Sequence, residues 1–207
     1  MNFRGEFETH FTLRTDDVER VIGWAKQAGL KLTHIVLSDG IHPSQPMLTR
    51  RSSGEYQTEL KATQVLAAQL HALGAEVLRV KIEVDSRHAF APSTLDDVAR
   101  QSSSACYFEH HVKLLLPPKA DLSLLQLVAF RHEARLSRNA LRTREDGMQE
   151  RFLTQRQCGT DRDASTNALT NLILDLSEHS FDILETEAEY VVFDNNLGLD
   201  SGWLPSH

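Results

Sequence analysis

Apolar and polar residues alternate in short runs separated by longer amphipathic ones, and this order of runs occurs twice. Residues 6–13 place Phe7, Phe11 and Leu13 on one side and Glu8, His10 and Thr12 on the other, the period of two that a strand needs. Thr15 is then the expected cap of a helix opened by Asp16, Asp17 and Glu19, striped by Val18, Val21, Ile22 and Ala25, and stopped at Gly29. Residues 30–38 read as a second strand. Asp39-Gly40 and the Pro43/Pro46 segment read as a turn into a third, over 47–51. A helix over 56–73, closed by Gly74, leads to a fourth strand over 76–84.

The second half repeats this order. Residues 107–116 form a strand stopped by Pro117-Pro118, and Asp121 opens an apolar helix to about 132. Strands over 134–139 and 151–156 flank an Arg-rich hairpin loop, and a helix over 161–178 precedes a last strand over 183–193. Short matches mark the repeat: F-E-x-H-x-x-L at Phe7 and Phe108, L-T-x-R at Leu48 and Leu153, and an aliphatic-Leu start with a later Glu at Val77 and Ile183. A fourth aligns Leu37-Ser38 with Leu136-Ser137. Their separations are 101 (His10 to His111), 105 (Leu48 to Leu153), 106 (Val77 to Ile183) and 99 (Leu37 to Leu136), nearly constant as loop-length drift would leave them.

A strand-helix-strand-strand-helix-strand order is the ferredoxin-like unit, a four-stranded antiparallel sheet with both helices on one face. The expected fold is therefore α+β, a tandem duplication of a ferredoxin-like βαββαβ unit with two four-stranded antiparallel sheets related by a pseudo-twofold. The halves span 1–85 and 106–207, the second with a C-terminal tail. The linker over 86–105 holds a short helix near 95–100 and the run Ser102-Ser103-Ser104. Each such sheet has a bare face, which two copies cover by turning toward each other or by joining edge to edge; the pattern leaves both open.

Composition narrows the function classes. A formal net charge of −7 and pI near 5.8 argue against general affinity for nucleic acid. Cys106 and Cys158 form no disulfide framework, and no apolar run approaches the 18 residues a membrane span needs, so a cytoplasmic, soluble protein is expected.

The same alternation sorts the bare face. It carries Glu8, His10 and Thr12 on the first strand, and Glu109, His111 and Lys113 on its counterpart. Arg79, Lys81 and Glu83 on the fourth strand match Glu185, Glu187 and Glu189 on the eighth. Thr49 with Arg51, and Thr154 with Arg156, share a face by the same rule. Two Glu-x-His pairs and two Thr-x-Arg pairs thus face a common space. His10 and His111 are the candidate acid–base residues, and Glu8, Thr49, Arg51, Glu109, Lys113, Thr154 and Arg156 the candidate ligand-binding ones. A divalent metal, if bound, is expected on Glu8, His10, Glu109 and His111.

Three family likenesses attach to these residues. His10-Phe11-Thr12-Leu13 resembles the H-x-T motif of the two-lobed 2H phosphoesterases, which implies phosphodiester chemistry; His111-Val112-Lys113 departs from it, with Lys for Thr. The stretch from His10 to Leu30 resembles the opening β-α unit of the vicinal oxygen chelate family, which implies a metal ligand at His10; the long second helix departs from that family's pattern. Glu109-x-His111-x-Lys113 with Glu185-x-Glu187-x-Glu189 resembles the charged tunnel of triphosphate-binding CYTH proteins, without the central Glu of their signature.

The expected function is binding, with turnover as an extension, of a small anionic or phosphate-bearing ligand at the polar face between the halves. One alternative is a non-enzymatic protein whose polar face is a structural junction or a homo-oligomer surface. Another is a metal-dependent enzyme using the paired Glu-x-His. Outside this face, Arg131, Arg135, Arg138, Arg142 and Arg144 read as a solvated hairpin, Cys158 as a helix-entry thiol, Asp39 and His42 as loop residues, and Trp203 as a docked tail residue.

Overall fold

The computed structural model describes residues 2–101, 106–142 and 144–204. Its first half runs β1 (Arg4–Arg14), α1 (Val18–Gln27), β2 (Lys31–Leu37), β3 (Ser44–Glu55), α2 (Tyr56–Ala72) and β4 (Glu76–Asp85). A short α3 (Leu95–Gln101) lies in the connection. The second half runs β5 (Tyr107–Leu116), α4 (Ser123–Arg131), β6 (Ala134–Asn139), β7 (Gln149–Gln157), α5 (Arg162–Glu178) and β8 (Asp182–Asp194), followed by a 3-10 turn at Leu197–Asp200. The Ser102-Ser103-Ser104 run lies outside the described residues.

Local chemistry shifts a few boundaries. The cap of α1 is Asp17, whose carboxylate accepts from Arg20 N, while Thr15 Oγ1 accepts from Asp17 N one step earlier. Strand β3 begins before the expected turn residue Pro46. Pro46 pairs with His34 of β2 and lies beyond the last β1–β3 pair, Thr12 with Met47, so its missing N–H removes no bond to β1.

Within each half the strands take the order β2-β3-β1-β4 or β6-β7-β5-β8, and every pair is antiparallel. The halves then join at both edges, β2 to β6 and β4 to β8, so the eight strands close into one barrel. This is a duplicated α+β ferredoxin-like arrangement in which the edge question resolves to closure.

Ladder partners fix the repeat more finely than the sequence does. Thr49 and Thr154 face His10 and His111, and their other neighbours are Lys31 and Arg135. The counterpart of Leu136-Ser137 is therefore Leu32-Thr33, not Leu37-Ser38, a correction that brings the separation to 104, in line with the other three. With this register, Ile35 pairs with its own equivalent Asn139 at one seam, and Val84 with its own equivalent Tyr190 at the other. The pseudo-twofold passes through both seams.

The apolar side of each strand faces outward, under the helices. Phe7, Phe11, Leu13, Leu48, Val80 and Ile82 pack with Val21, Ala25, Leu66 and Leu70. Val112, Leu114 and Leu153 pack with Leu125, Val128, Leu172 and Leu176. Each fully buried side chain of this kind contributes roughly 1.5–3 kcal/mol, and two such layers hold the barrel. The polar side consequently faces inward.

The seams are not equivalent beyond the axis. After Asp85 the chain turns away, its last contact with β8 being Ser86 N to Ala188 O at 3.0 Å, so the first half of β8 pairs only with β5. At the symmetric place the chain continues past β8 along β4: Asn195 Oδ1 accepts from Val80 N at 2.7 Å, and Asn196 Nδ2 donates to Leu78 O at 2.8 Å. The tail then docks Trp203 on Leu37 and Leu204, its indole N–H donating to Leu136 O at 3.2 Å. Gly40, at φ +105°, receives it, because a Cβ there would stand 3.0 Å from Trp203 Cβ. No helix among the described residues is long and apolar enough to cross a membrane.

Leu48 and Leu153 are equivalent residues, both wholly buried in the outer layers. Leu48→Ala and Leu153→Ala should each cost about 2–5 kcal/mol. Since both seams couple the halves, chemical denaturation of either variant should show one transition. Two separable transitions would contradict that coupling.

Candidate functional site

The inward faces enclose a cavity of about 300 Å³ lined by all eight strands and by Asp200 and Trp203 of the tail. Every sequence-predicted site residue lines it. The two halves reproduce one local arrangement. His10 faces Thr49, with Nδ1 3.0 Å from Oγ1, and His111 faces Thr154 at 3.1 Å. Glu8 faces Arg51 and pairs with it at 2.7 Å; Glu109 faces Arg156 and pairs with it at 2.9 Å. The in-phase alternation thus builds the same four-residue cluster twice.

Their surroundings differ. The Arg51 side chain is 73% exposed at the cavity mouth, whereas that of Arg156 is 4% exposed. Arg156 also pairs with Asp200 at 2.6 Å and lies over the Tyr107 ring at 4.3 Å from its centroid. Asp200 in turn meets Arg79 at 2.9 Å. Arg79 is held from its other side by both Asp194 oxygens and by Tyr107, whose hydroxyl donates to Asp194 at 2.7 Å. Lys81 bridges Glu83 at 2.6 Å and Glu109, and His10 Nε2 stands 2.7 Å from Glu83.

These contacts set the protonation states. Burial opposes ionisation of Glu83, but the Lys81 ammonium and His10 overcome it and hold its carboxyl down at about 2. Burial is outweighed in the same way at Glu109, where Lys81 and Arg156 keep the carboxyl well below the usual range. Glu189 goes the other way. Burial and the neighbouring carboxylates of Glu83, Glu187 and Glu8 push it well above the ordinary carboxylate range, with Lys81 only partly opposing.

The two histidines therefore differ in what they can do. A carboxylate beside His10 Nε2 favours the proton there, so that nitrogen is committed to Glu83. His111 Nε2 has no carboxylate nearer than Glu109 at 3.5 Å and Glu189 at 3.7 Å. Among the described residues, Glu83, His111 and Glu189 each offer one metal-ligating atom, all within 4.8 Å of one another. This set shares only His111 with the metal ligands expected from sequence.

Other contributors escaped the sequence-predicted set. Tyr107 lies two residues before Glu109 on the same face, so carrying the alternation one step further finds it. Glu150, a buried carboxylate that meets Lys113, Arg142 and Arg144, shares the parity of Thr154 and Arg156 and lies one residue before the strand expected over 151–156. Asp39 and His42 do not line the cavity. Burial pushes the Cys158 thiol up to about 11, against a role as nucleophile. His110, one residue from His111, points outward beneath α5, where Ser165 and Gln155 each lie 3.0 Å away.

Where charge is already paired and buried, removing one partner strands the other. Arg79→Met should cost roughly 3–5 kcal/mol, while Arg51→Met, at an exposed pair, should cost under about 1 kcal/mol, read by urea unfolding. Equal losses would contradict the difference in burial. Glu189 supplies a pH signature. Its folded form holds the proton more tightly than the unfolded chain, so its stabilising effect is complete below the ordinary glutamate pKa and lost as pH rises toward the folded value. Melting temperatures of wild type and Glu189→Gln should therefore converge in acid and separate in the variant's favour above about pH 6. A variant less stable at neutral pH would overturn this.

No family model and no curated protein matches this sequence. Among solved structures, the chain is similar to a mutant chlorite dismutase from Candidatus Nitrospira defluvii, at 12% identity and a TM-score of 0.30, over 91% of this chain and 92% of that one. It is similar also to the acetolactate synthase small subunit from Thermotoga maritima, at 10% identity and a TM-score of 0.30, over 90% and 94%. At these values no activity or ligand carries across.

Proposed function

We propose that the barrel interior binds a small anionic, phosphate-bearing molecule, its anion held where Lys113 and Arg142 meet. The charge balance around Glu150 supports this most directly. That single carboxylate is shared by Lys113 at 3.4 Å, Arg142 at 3.1 Å and Arg144 at 3.4 Å. Arg144 has a second partner in Asp146 at 2.7 Å, and Lys113 only a distant one in Glu185 at 4.0 Å. Lys31, which has no ion pair among the described residues, lines the same cavity. With Lys31 counted, four cations stand against the carboxylates of Glu150, Asp146 and Glu185, and an anion with several acceptor oxygens completes the balance. The cavity volume suits a small ligand.

His111 lies two residues from Lys113 on the same face of β5, with Thr154 orienting Nδ1 and Nε2 3.5 Å from Glu109. In this reading it is the side chain able to pass a proton to or from a bound ligand. At the opposite end a second reading applies. Arg79, Asp194, Asp200 and Arg156 pair with one another, which favours a structural junction between the halves and the tail.

Calorimetric titration with inorganic phosphate, pyrophosphate and tripolyphosphate tests the anion site. The double variant Lys113→Ala/Arg142→Ala should weaken the best of these at least about tenfold, corresponding to ~1.4 kcal/mol, with its circular dichroism unchanged. Affinity unaltered in the double variant, or no binding by wild type at millimolar concentration, would remove the proposal.

A further inference from the structure

Beside the β4–β8 seam the interior carries the opposite excess. Glu8, Arg51, Glu187 and Glu189 line both the inner cavity and a wider groove of about 1170 Å³ that also reaches Glu83, Ser86 and Thr186. The groove lies along the half of β8 that β4 does not cover, so the inner cavity has a mouth there. Glu83, His111 and Glu189 converge at that junction.

Glu83 is wholly buried, with Lys81 Nζ 2.6 Å from Oε1 and His10 Nε2 2.7 Å from Oε2, and each oxygen keeps a second lone pair for a ligand. Glu189 makes no hydrogen bond among the described residues, and its nearest ion-pairing group is His111 at 3.7 Å. Glu187 adds a further carboxylate with no ion pair among the described residues. His111 is oriented as a metal-ligating imidazole usually is, with one ring nitrogen on an oxygen partner, Thr154, and the other directed at the carboxylates.

We propose that Glu83, His111 and Glu189 form a site for one divalent first-row transition ion, held by two carboxylate oxygens and His111 Nε2. Three protein ligands leave coordination positions for water or a ligand entering through the mouth. Oxygen ligands with one imidazole and no thiolate suit Zn²⁺, Mn²⁺ or Co²⁺, and three ligands are too few for Ca²⁺. The side chains need to draw in by about 1 Å from their present spacing to reach bonding distances of ~2.0–2.2 Å. This site uses seam residues rather than the Lys113–Arg142 end, so phosphate binding and metal binding can each fail without the other.

The test uses the full chain, stripped with chelator and titrated with Co²⁺ while the visible absorption bands are followed, with Zn²⁺ as competitor. One equivalent should bind. Glu189→Gln and His111→Ala should each weaken binding at least tenfold, and Thr154→Val should weaken it about tenfold through His111. Asp39→Asn, which lies outside the cavity, should leave it unchanged. Circular dichroism and thermal melts establish that each variant is folded, and a variant that fails to fold is replaced by Glu189→Asp, which should alter the Co²⁺ spectrum. Absence of stoichiometric binding overturns the proposal, as does undiminished affinity in Glu189→Gln. Loss with Glu8→Gln but not Glu189→Gln would place the ion on the other Glu-x-His pair and overturn it too.

Discussion

When the outer face of a closed sheet is taken up by helices, the strands' remaining side chains have nowhere to go but inside. Here those side chains are charged, so the barrel stands only if they neutralise one another. The contacts form an unbroken sequence of alternating sign, Asp194, Arg79, Asp200, Arg156, Glu109, Lys81 and Glu83, and Glu83 then meets His10. Withdrawing each ion from water costs several kcal/mol, and only a partner on each side returns it. Because the sequence crosses from β8 to β4, to the tail, to β7, to β5 and back to β4 and β1, it ties both halves and the tail into one object. The apolar layers supply the favourable burial, and the charged chain dictates which strands must be neighbours.

Duplication explains the skeleton, and divergence explains the difference between the ends. Both copies keep Glu-x-His facing Thr-x-Arg. The fourth strands do not keep their charges: Arg79 and Lys81 in one copy stand where Glu185 and Glu187 stand in the other, while Glu83 and Glu189 remain alike. The cations of β4 are consumed in the buried chain. The acids of β8 have nothing comparable to neutralise them, and they lie beside the seam that the turn after Asp85 leaves open. Unsatisfied charge and solvent access therefore coincide on one side of the barrel, where a ligand can both enter and gain.

Much of this was legible from spacing alone. Period-two alternation is local, so it reports faces faithfully; it placed His10, Thr49, His111 and Thr154 on a common side before any pairing was known. Closure was not legible, since the β2–β6 and β4–β8 pairings join residues about a hundred positions apart with no shared local signal. For the same reason the alignment of Leu37 with Leu136 slipped, and only the cross-strand partners Lys31 and Arg135 corrected it. Asp200 sits in an irregular tail, where no period exists to say which way a carboxylate points. The separate fates of His10 and His111 hang on Glu83, a neighbour that only the barrel brings into contact.

His111 occupies the position where these facts meet. Along β5 it lies between Glu109, buried in the charged chain, and Lys113, at the end with surplus cations, at spacings of about 7 Å. A cation held through His111 and an anion held at Lys113 would therefore be near enough to attract, by on the order of 2 kcal/mol for unit charges at an effective dielectric near 20. Linkage makes that attraction reciprocal: occupancy of either place favours the other by the same factor. Such coupling needs no movement of the fold. It follows from one strand carrying a carboxylate, an imidazole and an ammonium in phase along the inside of the barrel.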